Sequence, residues 1–552
     1  MRQLYLDVME QAAKAYTLEQ IDDYIKDVEA NGIRDHGFPR LSANLAVLIA
    51  YDRCTEMYER VMHMLDLSFK LVSETLNCDN DFSVRELCIA FDVLLKKRIV
   101  PKERLKKWLS FLAKFDPETG YEMLVWNKEP DWKCHNIVSY NCLSEFLRCT
   151  LLGLDPEPFL AKQMPKLLES FDENGMYMDP GCPMVYDFAT RLNLQQMIFA
   201  GYNGAFSAEI LEKLEKADPI SLKFLSTTGE FPYGGRSQGF LHNEGLMCAL
   251  MEGAAIRSKA RGDQECASRY RAGAKLALDA LRLWMGKEPV SHIKNRYPVS
   301  SLFGCEKYGY FNKYMITVNI WLMTPLLYAD EAIPVGNLSE EPSAFATSNH
   351  FHRYFLQAGD YFLQGDTAGQ ARQDATGIGR IHKKGCPSPL LLSFPFAKNP
   401  KYLIRGEENP GNCAIGIWKN CNGKNLSECD PEAEATLTKC EATEKEALAE
   451  LRIKLADGSL VRENVTVTPD GVILSQDGAD GFLLPAIMTD GENQGEVFWE
   501  KDGFSVLFEN CHARYRFLGL AEEWADFQNR SGVYRVFRVR CDKVQITMGG
   551  TR

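Results

Sequence analysis

The spacing of hydrophobic residues changes near residue 335, and this change limits the folds that the chain can adopt. Before that point apolar side chains recur every three or four residues, as in helices with one buried face. These segments lie at 41–76, 83–114, 136–153, 184–201, 239–262, 264–285 and 312–329. After that point short alternating runs are separated by Asp-Gly pairs, which favour β-hairpins. The pairs lie at 457–458, 470–471, 490–491 and 502–503. The sequence therefore predicts helices followed by antiparallel strands.

The two patterns divide the chain into an α+β multidomain protein. We expect a helical domain at 1–335, a linker at 336–348 and an antiparallel β-sandwich at 349–552, with Pro and Gly residues marking the linker. About a dozen helices in hairpins suit either an α/α toroid or a solenoid of helix pairs. No fixed-period repeat is visible, which favours an (α/α)6-type toroid. The acidic stretch 421–450 is interpreted as a loop or a short helix.

Composition excludes several classes of protein. The 552 residues carry a net charge of −12, which is the wrong sign for a nucleic-acid binder or a polybasic membrane binder. Asp7 and Glu10 interrupt the N-terminal segment, and no apolar run is long enough for a membrane helix, so we expect the whole chain in the cytoplasm. Seventeen cysteines without a CxxC pair are typical of reduced thiols.

The glycine-punctuated turn at 231–245, FPYGGRSQGFLHNEG, is the strongest candidate for a binding site. Its glycines permit close backbone approach, and a following helix N-terminus favours an anion, so Arg236 and free amides could seat a carboxylate. The turn also holds further candidate site residues, namely Tyr233, His242 and Glu244. The alternative is an ordinary helix start in which Ser237 is the cap and Arg236 is solvated.

Two more inter-helix segments carry residues suited to proton transfer. At 132–141, WKCHNIVSYN, His135 and Asn136 open a helix, and an imidazole beside an amide can bind a substrate oxygen and move a proton. At 174–191, the segment holds two carboxylates and two phenols before another helix. Their members are Tyr177, Asp179, Tyr186 and Asp187. In the alternative interpretation these residues only satisfy helix starts.

Aromatic and histidine residues complete the candidate set. Tyr308 and Tyr310 lie in the segment 296–314, where aromatic rings can stack on sugars or form ordinary core. His350 and His352 flank Phe351, and this spacing can bind a metal ion. No third ligand is evident by position, so an interface pair is favoured over zinc, and we predict neither a metal nor a cofactor.

Familiar catalytic motifs are missing from the sequence. It contains no Walker-type phosphate loop, no dinucleotide fingerprint after a strand, no HExxH and no GxSxG. Kinase, dehydrogenase and serine-hydrolase functions are therefore not expected.

The order of these motifs resembles a bacterial family catalogued as domain of unknown function 2264, and more distantly the heparinase II/III-like and alginate-lyase toroid enzymes. The resemblance covers most of the helical half and the start of the sheet. It rests on short motifs in a common order: Asn174-Gly175 with Tyr177 and Asp179, Tyr186-Asp187, the turn from Tyr233 to Ser237, Tyr308 to Trp321, and Ala332 to Pro334. The order His135-Asn136 is reversed relative to the Asn-His pair of such proteins.

The resemblance implies an enzyme that acts on a sugar bearing a carboxylate. In hydrolysis, as in the exo-β-glucuronidases of glycoside hydrolase family 154, Asp187 and Glu244 would form the carboxyl pair, with Asp179 able to replace either. In β-elimination, Arg236 or Asn136 would neutralise the uronate, and Tyr186 or His135 would accept the proton. Carboxylates at three loop motifs favour hydrolysis.

The expected partner is a small uronic-acid-containing oligosaccharide or glucuronide bound in an exo-acting pocket. Trp132, Tyr233, His242, Tyr308 and Tyr310 are predicted to contact it together with Arg236 and Asn136. Homo-oligomerisation is left open, and a non-catalytic glycan-binding protein is the third possibility. All three functions require the segments 132–140, 174–191, 233–244 and 296–314 to meet at one rim of the helical ring.

Overall fold

The computed structural model describes residues 1–75, 79–121, 134–406 and 408–550. Its first part is helical, with short 3-10 turns at Thr55–Met57 and Val299–Ser301. The helices are α1 (Arg2–Lys14), α2 (Leu18–Asn31), α3 (Gly37–Ala50), α4 (Tyr58–Glu74), α5 (Asn80–Lys97), α6 (Lys102–Lys114), α7 (Pro117–Gly120), α8 (Ile137–Leu152), α9 (Glu157–Glu169), α10 (Met184–Phe199), α11 (Ser207–Phe224), α12 (His242–Ala260), α13 (Gln264–Met285), α14 (Phe311–Tyr314) and α15 (Thr317–Tyr328).

Six helices form a closed inner ring. Each of α3, α5, α8, α10, α12 and α15 packs against the next, and α15 returns to α3. The helices α1, α4, α6, α9, α11 and α13 pack outside them. Every residue of α3 is buried, whereas the outer helix α6 buries a single face through Leu105, Trp108, Phe111 and Leu112. The predicted (α/α)6-type toroid is confirmed.

The helical periodicity predicted the positions of most helices closely. Two of the long predicted segments each contain two helices and not one. The predicted segment 41–76 contains a break between Ala50 and Tyr58, and 83–114 breaks between Lys97 and Lys102, beside Pro101. Both breaks separate an inner helix from an outer one, because the chain must reverse there. Within the described ranges, no helix is both long and apolar enough to span a bilayer.

The second part contains β-strands. They are β1 (Ser343–Ala346), β2 (Arg353–Ala358), β3 (Tyr361–Asp366), β4 (Gly377–Lys383), β5 (Gly416–Cys421), β6 (Lys424–Ser427), β7 (Glu434–Ala442), β8 (Ala447–Lys454), β9 (Leu460–Thr468), β10 (Gly471–Asp477), β11 (Gly481–Thr489), β12 (Gly495–Glu500), β13 (Gly503–Phe508), β14 (Cys511–Arg516), β15 (Leu520–Gln528), β16 (Val533–Arg540) and β17 (Lys543–Gly550). A 3-10 turn at Ser388–Leu390 follows β4.

The strands build a large antiparallel sandwich. One sheet has the order β12-β13-β14-β17-β10-β9-β8-β7. A sheet of order β1-β2-β3-β4 packs over β7 to β9, and a sheet of order β15-β16-β11-β5-β6 packs near β12 and β13. The three sheets share one apolar core. The predicted antiparallel sandwich is confirmed, and each predicted Asp-Gly pair lies between two successive strands.

One local prediction fails in the stretch 421–450. The loop or short helix expected there instead contains the strands β6 and β7 and the start of β8. The strands β7 and β8 pair from Glu434↔Lys454 to Ala442↔Ala447, with one register shift between Leu437 and Lys439. The strand β7 is an edge strand without a fully buried face, so its alternation of apolar and polar residues is weak.

Two carboxyl groups face each other inside the sandwich. Glu428 follows β6, Glu463 lies on β9, both side chains are 0% exposed, and the two carboxyl groups lie close enough to influence each other's ionisation. A Cβ atom at Gly416 would collide with Glu428, so glycine leaves the room that this carboxyl occupies. Burial raises the pKa of Glu428 well above its ordinary value and that of Glu463 to about 8.

These raised pKa values predict stability that falls as the pH rises. The unfolded Glu463 carboxyl loses its proton from about pH 4.5, whereas the folded one retains its proton until about pH 8, so this retained proton costs about 1.4 kcal/mol per pH unit within that window. We expect Glu463→Gln to flatten the fall in the free energy of unfolding between pH 5 and pH 8, measured by denaturant titration. Glu450→Gln, a half-exposed residue on β8, is the control. An unchanged slope in the Glu463 variant would contradict the raised pKa of this carboxyl.

Candidate functional site

The N-terminal ends of the inner helices share one rim of the ring. Inner and outer helices alternate along the chain and run in opposite directions, so the segments that precede inner helices all lie at the same end. The described parts of the four predicted segments meet there through side-chain contacts. Residues 122–133 lie outside the described part, and the prediction for Trp132 falls on them.

Asp179 is the centre of the contacts at this rim. Its Oδ1 atom accepts hydrogen bonds from the backbone amide of Asn136 at 2.7 Å and from the Asn136 side chain at 3.2 Å. Its Oδ2 atom pairs with the guanidinium of Arg236 at 2.6 Å. Asp179 is fully buried, whereas the Arg236 side chain remains 30% exposed. The carboxylate therefore joins three predicted segments, and part of the Arg236 side chain stays accessible.

A chain of hydroxyl groups continues from Arg236. The guanidinium carbon lies 4.5 Å from the ring centre of Tyr186, whose hydroxyl is 2.8 Å from the hydroxyl oxygen of Ser237. Ser237 is in turn 2.9 Å from the hydroxyl oxygen of Tyr308. The backbone of Ser237 has φ of +62°, a strained conformation for a non-glycine residue. Its amide donates to buried Glu306, which helps to hold the residue there.

These contacts correct both simple interpretations of the glycine turn. Ser237 does not cap α12, whose first turn has no side-chain cap, and Arg236 is paired. The glycines accommodate protein rather than an open ligand space. A Cβ atom at Gly234 would meet Arg353 at 2.4 Å, and one at Gly235 would meet Pro183 at 2.6 Å.

The part of the chain that contains the strands, residues 343–550, is called the β-region, and it donates and accepts hydrogen bonds that hold the glycine turn. Asp374 accepts a hydrogen bond from the amide of Gly235 at 2.8 Å, and Gln364 exchanges two hydrogen bonds with the backbone of Tyr233. Arg530 binds Glu306 with both terminal nitrogens, at 2.7 and 2.9 Å. The rim is therefore held from both parts of the chain.

The β-region also brings a histidine that the sequence interpretation placed only at an interface. Nε2 of His350 lies 3.2 Å from the carbonyl oxygen of Asp179, and the side chain is partly exposed. Its partner His352 hydrogen-bonds to Asp366. The HxH spacing was visible in the sequence, but its proximity to 174–191 depends on how the β-region folds back.

Burial and charge set the protonation states of the rim. Burial lowers the pKa of His135, with Asp179 and Arg236 acting in opposite directions, so this imidazole is neutral at pH 7. Burial raises the pKa of Tyr186, against the influence of Arg236 and Ser237, so the phenol holds its proton. The site thus contains a neutral base and a protonated acid.

The residues described so far are called the rim cluster, namely His135, Asn136, Asp179, Tyr186, Arg236, Ser237 and Tyr308. Several predicted residues lie away from this rim cluster. Asp187 is fully buried and pairs with Arg191 at 2.6 Å, while Glu244 is fully buried and pairs with Lys294 at 2.6 Å. Burial raises the pKa of both carboxyls. Tyr233 is also completely buried.

The remaining aromatic and histidine candidates divide by exposure. His242 is 4% exposed beneath the rim, where its Nδ1 atom accepts from Trp321 at 3.3 Å. Burial lowers its pKa to about 3. Tyr308 is half-buried at the rim, and Tyr310 is 46% exposed beside it.

No cluster of three or more His, Cys, Asp or Glu side chains in the described part of the chain is arranged to hold a metal ion. A cavity of about 920 Å³ lies elsewhere, between α11, α13 and residues 335–343. We identify the rim site by the chemistry of its side chains, which do not line that cavity.

No protein-family model matches the chain, and no curated protein matches it in sequence. The structure is similar to that of heparinase III, with 10% identity, coverage of 98% of this chain and 91% of that chain, and a TM-score of 0.34. The structure is also similar to that of a Paenibacillus xanthan lyase, with 9% identity, coverage of 93% of this chain and 53% of that chain, and a TM-score of 0.49. A mutant of heparan sulfate lyase HepC from Pedobacter heparinus is similar with 9% identity, coverage of 97% of this chain and 92% of that chain, and a TM-score of 0.36. The resemblance to domain of unknown function 2264 stays a prediction.

Proposed function

We propose that this protein is a lyase that cleaves a uronic-acid-containing saccharide by β-elimination at the rim cluster. The observation that carries the proposal is the different placement of the candidate groups. The accessible groups are a phenol, a neutral imidazole and a guanidinium, on Tyr186, His135 and Arg236, whereas Asp187 and Glu244 are enclosed.

Hydrolysis, which the sequence favoured, is poorly supported by this placement. A glycosidase needs two carboxyl groups in contact with the scissile bond, one of them protonated. Asp187 accepts from the amide of Tyr177 and from Arg191, and Glu244 accepts from the amide of Phe231 and from Lys294. Neither can reach a sugar without breaking a buried ion pair, which costs about 3–5 kcal/mol.

In the proposed reaction, the partly exposed guanidinium of Arg236 binds the uronate carboxylate. Its positive charge and hydrogen bonds stabilise the negative charge that develops when the C5 proton is removed. His135 accepts that proton, the electron pair forms the C4=C5 double bond, and the C4–O bond breaks. Tyr186 donates its proton to the leaving oxygen and recovers one through Ser237 and Tyr308.

The product of the reaction tests this proposal. We expect incubation with an oligosaccharide whose uronic acid carries a further sugar on its C4 oxygen to yield an unsaturated uronate that absorbs ultraviolet light. His135→Ala should lower this rate by about 10²–10⁴-fold, because it removes the base. His63→Ala, which loses a surface contact with Glu29, is the matched control and should retain the rate.

The other functions give different products in the same experiment. A saturated free uronic acid without ultraviolet absorbance would overturn the lyase proposal in favour of hydrolysis. Retention of the oligosaccharide without turnover would instead favour a glycan-binding protein. Release of only terminal residues would support the predicted exo-acting pocket.

A further inference from the structure

Cys182 lies in a cluster of ionisable groups next to the rim. It is a half-buried residue in the turn before α10, with φ of +54°. The backbone amide of Cys182 and Nε2 of His350 both lie within hydrogen-bond reach of the carbonyl oxygen of Asp179, at 3.1 and 3.2 Å. The imidazoles of His350 and His352 both act on the thiol from close by. The other side of His352 binds Asp366 through Nδ1. The arrangement thus contains a thiol, an adjacent imidazole and a carboxylate that orients that imidazole, as in enzymes with an activated nucleophile.

The backbone fixes the thiol against these groups. Arg353 donates a hydrogen bond to the carbonyl oxygen of Cys182 at 3.1 Å, and Gln370 donates to the neighbouring carbonyl of Gly181 at 2.5 Å. Both donors come from the β-region. The loop that carries Cys182 is therefore clamped against the segment that carries the two histidines.

The charges that face the cluster favour a thiolate. Asp366 outweighs the effect of burial on His352 and raises its pKa to about 9, so this imidazole is a cation at pH 7. Burial alone would raise the pKa of Cys182, but the two imidazoles outweigh it and lower the pKa to about 6. The nearby charged groups beyond these are Arg353, Arg236 and Asp179.

Other half-buried cysteines have the opposite surroundings. Burial raises the pKa of Cys440 to about 11, and burial together with Cys511 raises that of Cys386 to about 12. Both are partly accessible, as Cys182 is. Cys386 and Cys440 therefore serve as internal controls, because they are partly accessible thiols whose pKa is raised and not lowered.

We propose that Cys182 is a nucleophilic thiol and the residue at which hydrogen peroxide and other small soft electrophiles modify this protein. The sulfur attacks one oxygen of the peroxide, an S–O bond forms and the O–O bond breaks. The sulfur is oxidised to a sulfenic acid, and the leaving hydroxide takes a proton to become water. The modified side chain lies beside Asp179 and His350. The inference is independent of the proposed elimination, because its readout is the modification itself.

Competitive labelling with iodoacetamide at pH 7 measures this property by peptide mass spectrometry. At pH 7 about nine-tenths of a thiol with a pKa of 6 is ionised, against about one in 10⁴ for a pKa of 11. The lower intrinsic nucleophilicity of the more acidic thiol removes most of that advantage. We therefore expect Cys182 to react roughly 50-fold faster than Cys440, with a rate that rises around pH 6.

Variants of the neighbouring residues complete the experiment. His352→Gln should slow the labelling of Cys182 at least fivefold, and His63→Gln should not. Continued slow labelling of Cys386 and Cys440 in each variant reports that the fold is intact. Peroxide should add one oxygen at Cys182 in the wild type, and Cys182→Ser should lose that modification. Labelling of Cys182 no faster than that of Cys440, or unchanged labelling in His352→Gln, would overturn the proposal.

Discussion

Replacement of Tyr186 by Phe is expected to lower the rate of uronide elimination by about 10²–10⁴-fold. The hydroxyl is the proposed acid for the leaving oxygen and the first member of the chain through Ser237 to Tyr308. Phe retains the ring beneath Arg236, so the packing survives. The loss should appear in kcat more than in KM, because the proton moves only in the transition state.

A variant at the opposite rim controls for the loss of a tyrosine hydroxyl. Tyr58 begins the outer helix α4, and its hydroxyl donates to the carbonyl of Ile99 at 2.9 Å. Tyr58→Phe should cost about 1 kcal/mol of stability, as Tyr186→Phe does, and retain full activity. Equal activity of the two variants would remove Tyr186 from the reaction.

Replacement of Arg236 by Ala should abolish the enzyme's preference for a substrate that carries a free carboxylate over its neutral ester. A charge-assisted hydrogen bond to substrate is worth about 1.5–3 kcal/mol, and stabilisation of the developing charge adds to it, so kcat/KM for a uronide should fall about 10²–10³-fold. The binding of a neutral methyl-ester analogue should change much less. Arg236→Lys should recover only part of the loss, since a point charge cannot replace the planar fork.

The stability of the Arg236 variant needs its own control. Removal of the guanidinium leaves the buried carboxylate of Asp179 with hydrogen bonds from Asn136 alone. We expect a loss of about 1–3 kcal/mol in the free energy of unfolding, with the fold retained. Arg60→Ala removes an ion pair with Asp22 on the outer helices and should leave turnover unchanged. Unchanged uronide kinetics in Arg236→Ala would remove this residue from the site.

The spacing of hydrophobic residues along the sequence was sufficient to predict a helical toroid followed by an antiparallel β-sandwich. The segment 264–285 coincides with α13, and 184–201 ends within two residues of α10. Asp-Gly pairs located hairpins because a tight turn needs residues that tolerate positive φ, as Gly458 and Gly503 do. The strand β7 escaped because an exposed edge strand has no fully apolar face to generate a pattern.

The candidate site was only partly accessible from sequence, because residue type does not reveal burial. Asp187 and Asp179 lie eight positions apart in one segment, yet the first pairs with Arg191 inside α10 and the second pairs with Arg236 at the rim. The role of Glu244 depends on Lys294, fifty residues further along the chain. Long-range pairing of this kind leaves no local signal.

His350 and Cys182 illustrate a second limit. Each comes from a different part of the chain, and their contact depends on the β-region folding against the rim. The HxH spacing was recognised, but the partner that gives it chemistry lies about 170 residues earlier. Only the tertiary structure brings this thiol close to the two imidazoles.

The fate of solvent oxygen tests the central claim most directly. Turnover of a uronic-acid oligosaccharide in water enriched with heavy oxygen, read before the hemiacetal oxygens exchange with solvent, should yield products without the label. This is expected because β-elimination breaks the C4–O bond without adding water. Mass spectrometry of both fragments reads this outcome. One heavy oxygen incorporated at the cleaved bond in each turnover would show hydrolysis and contradict the account.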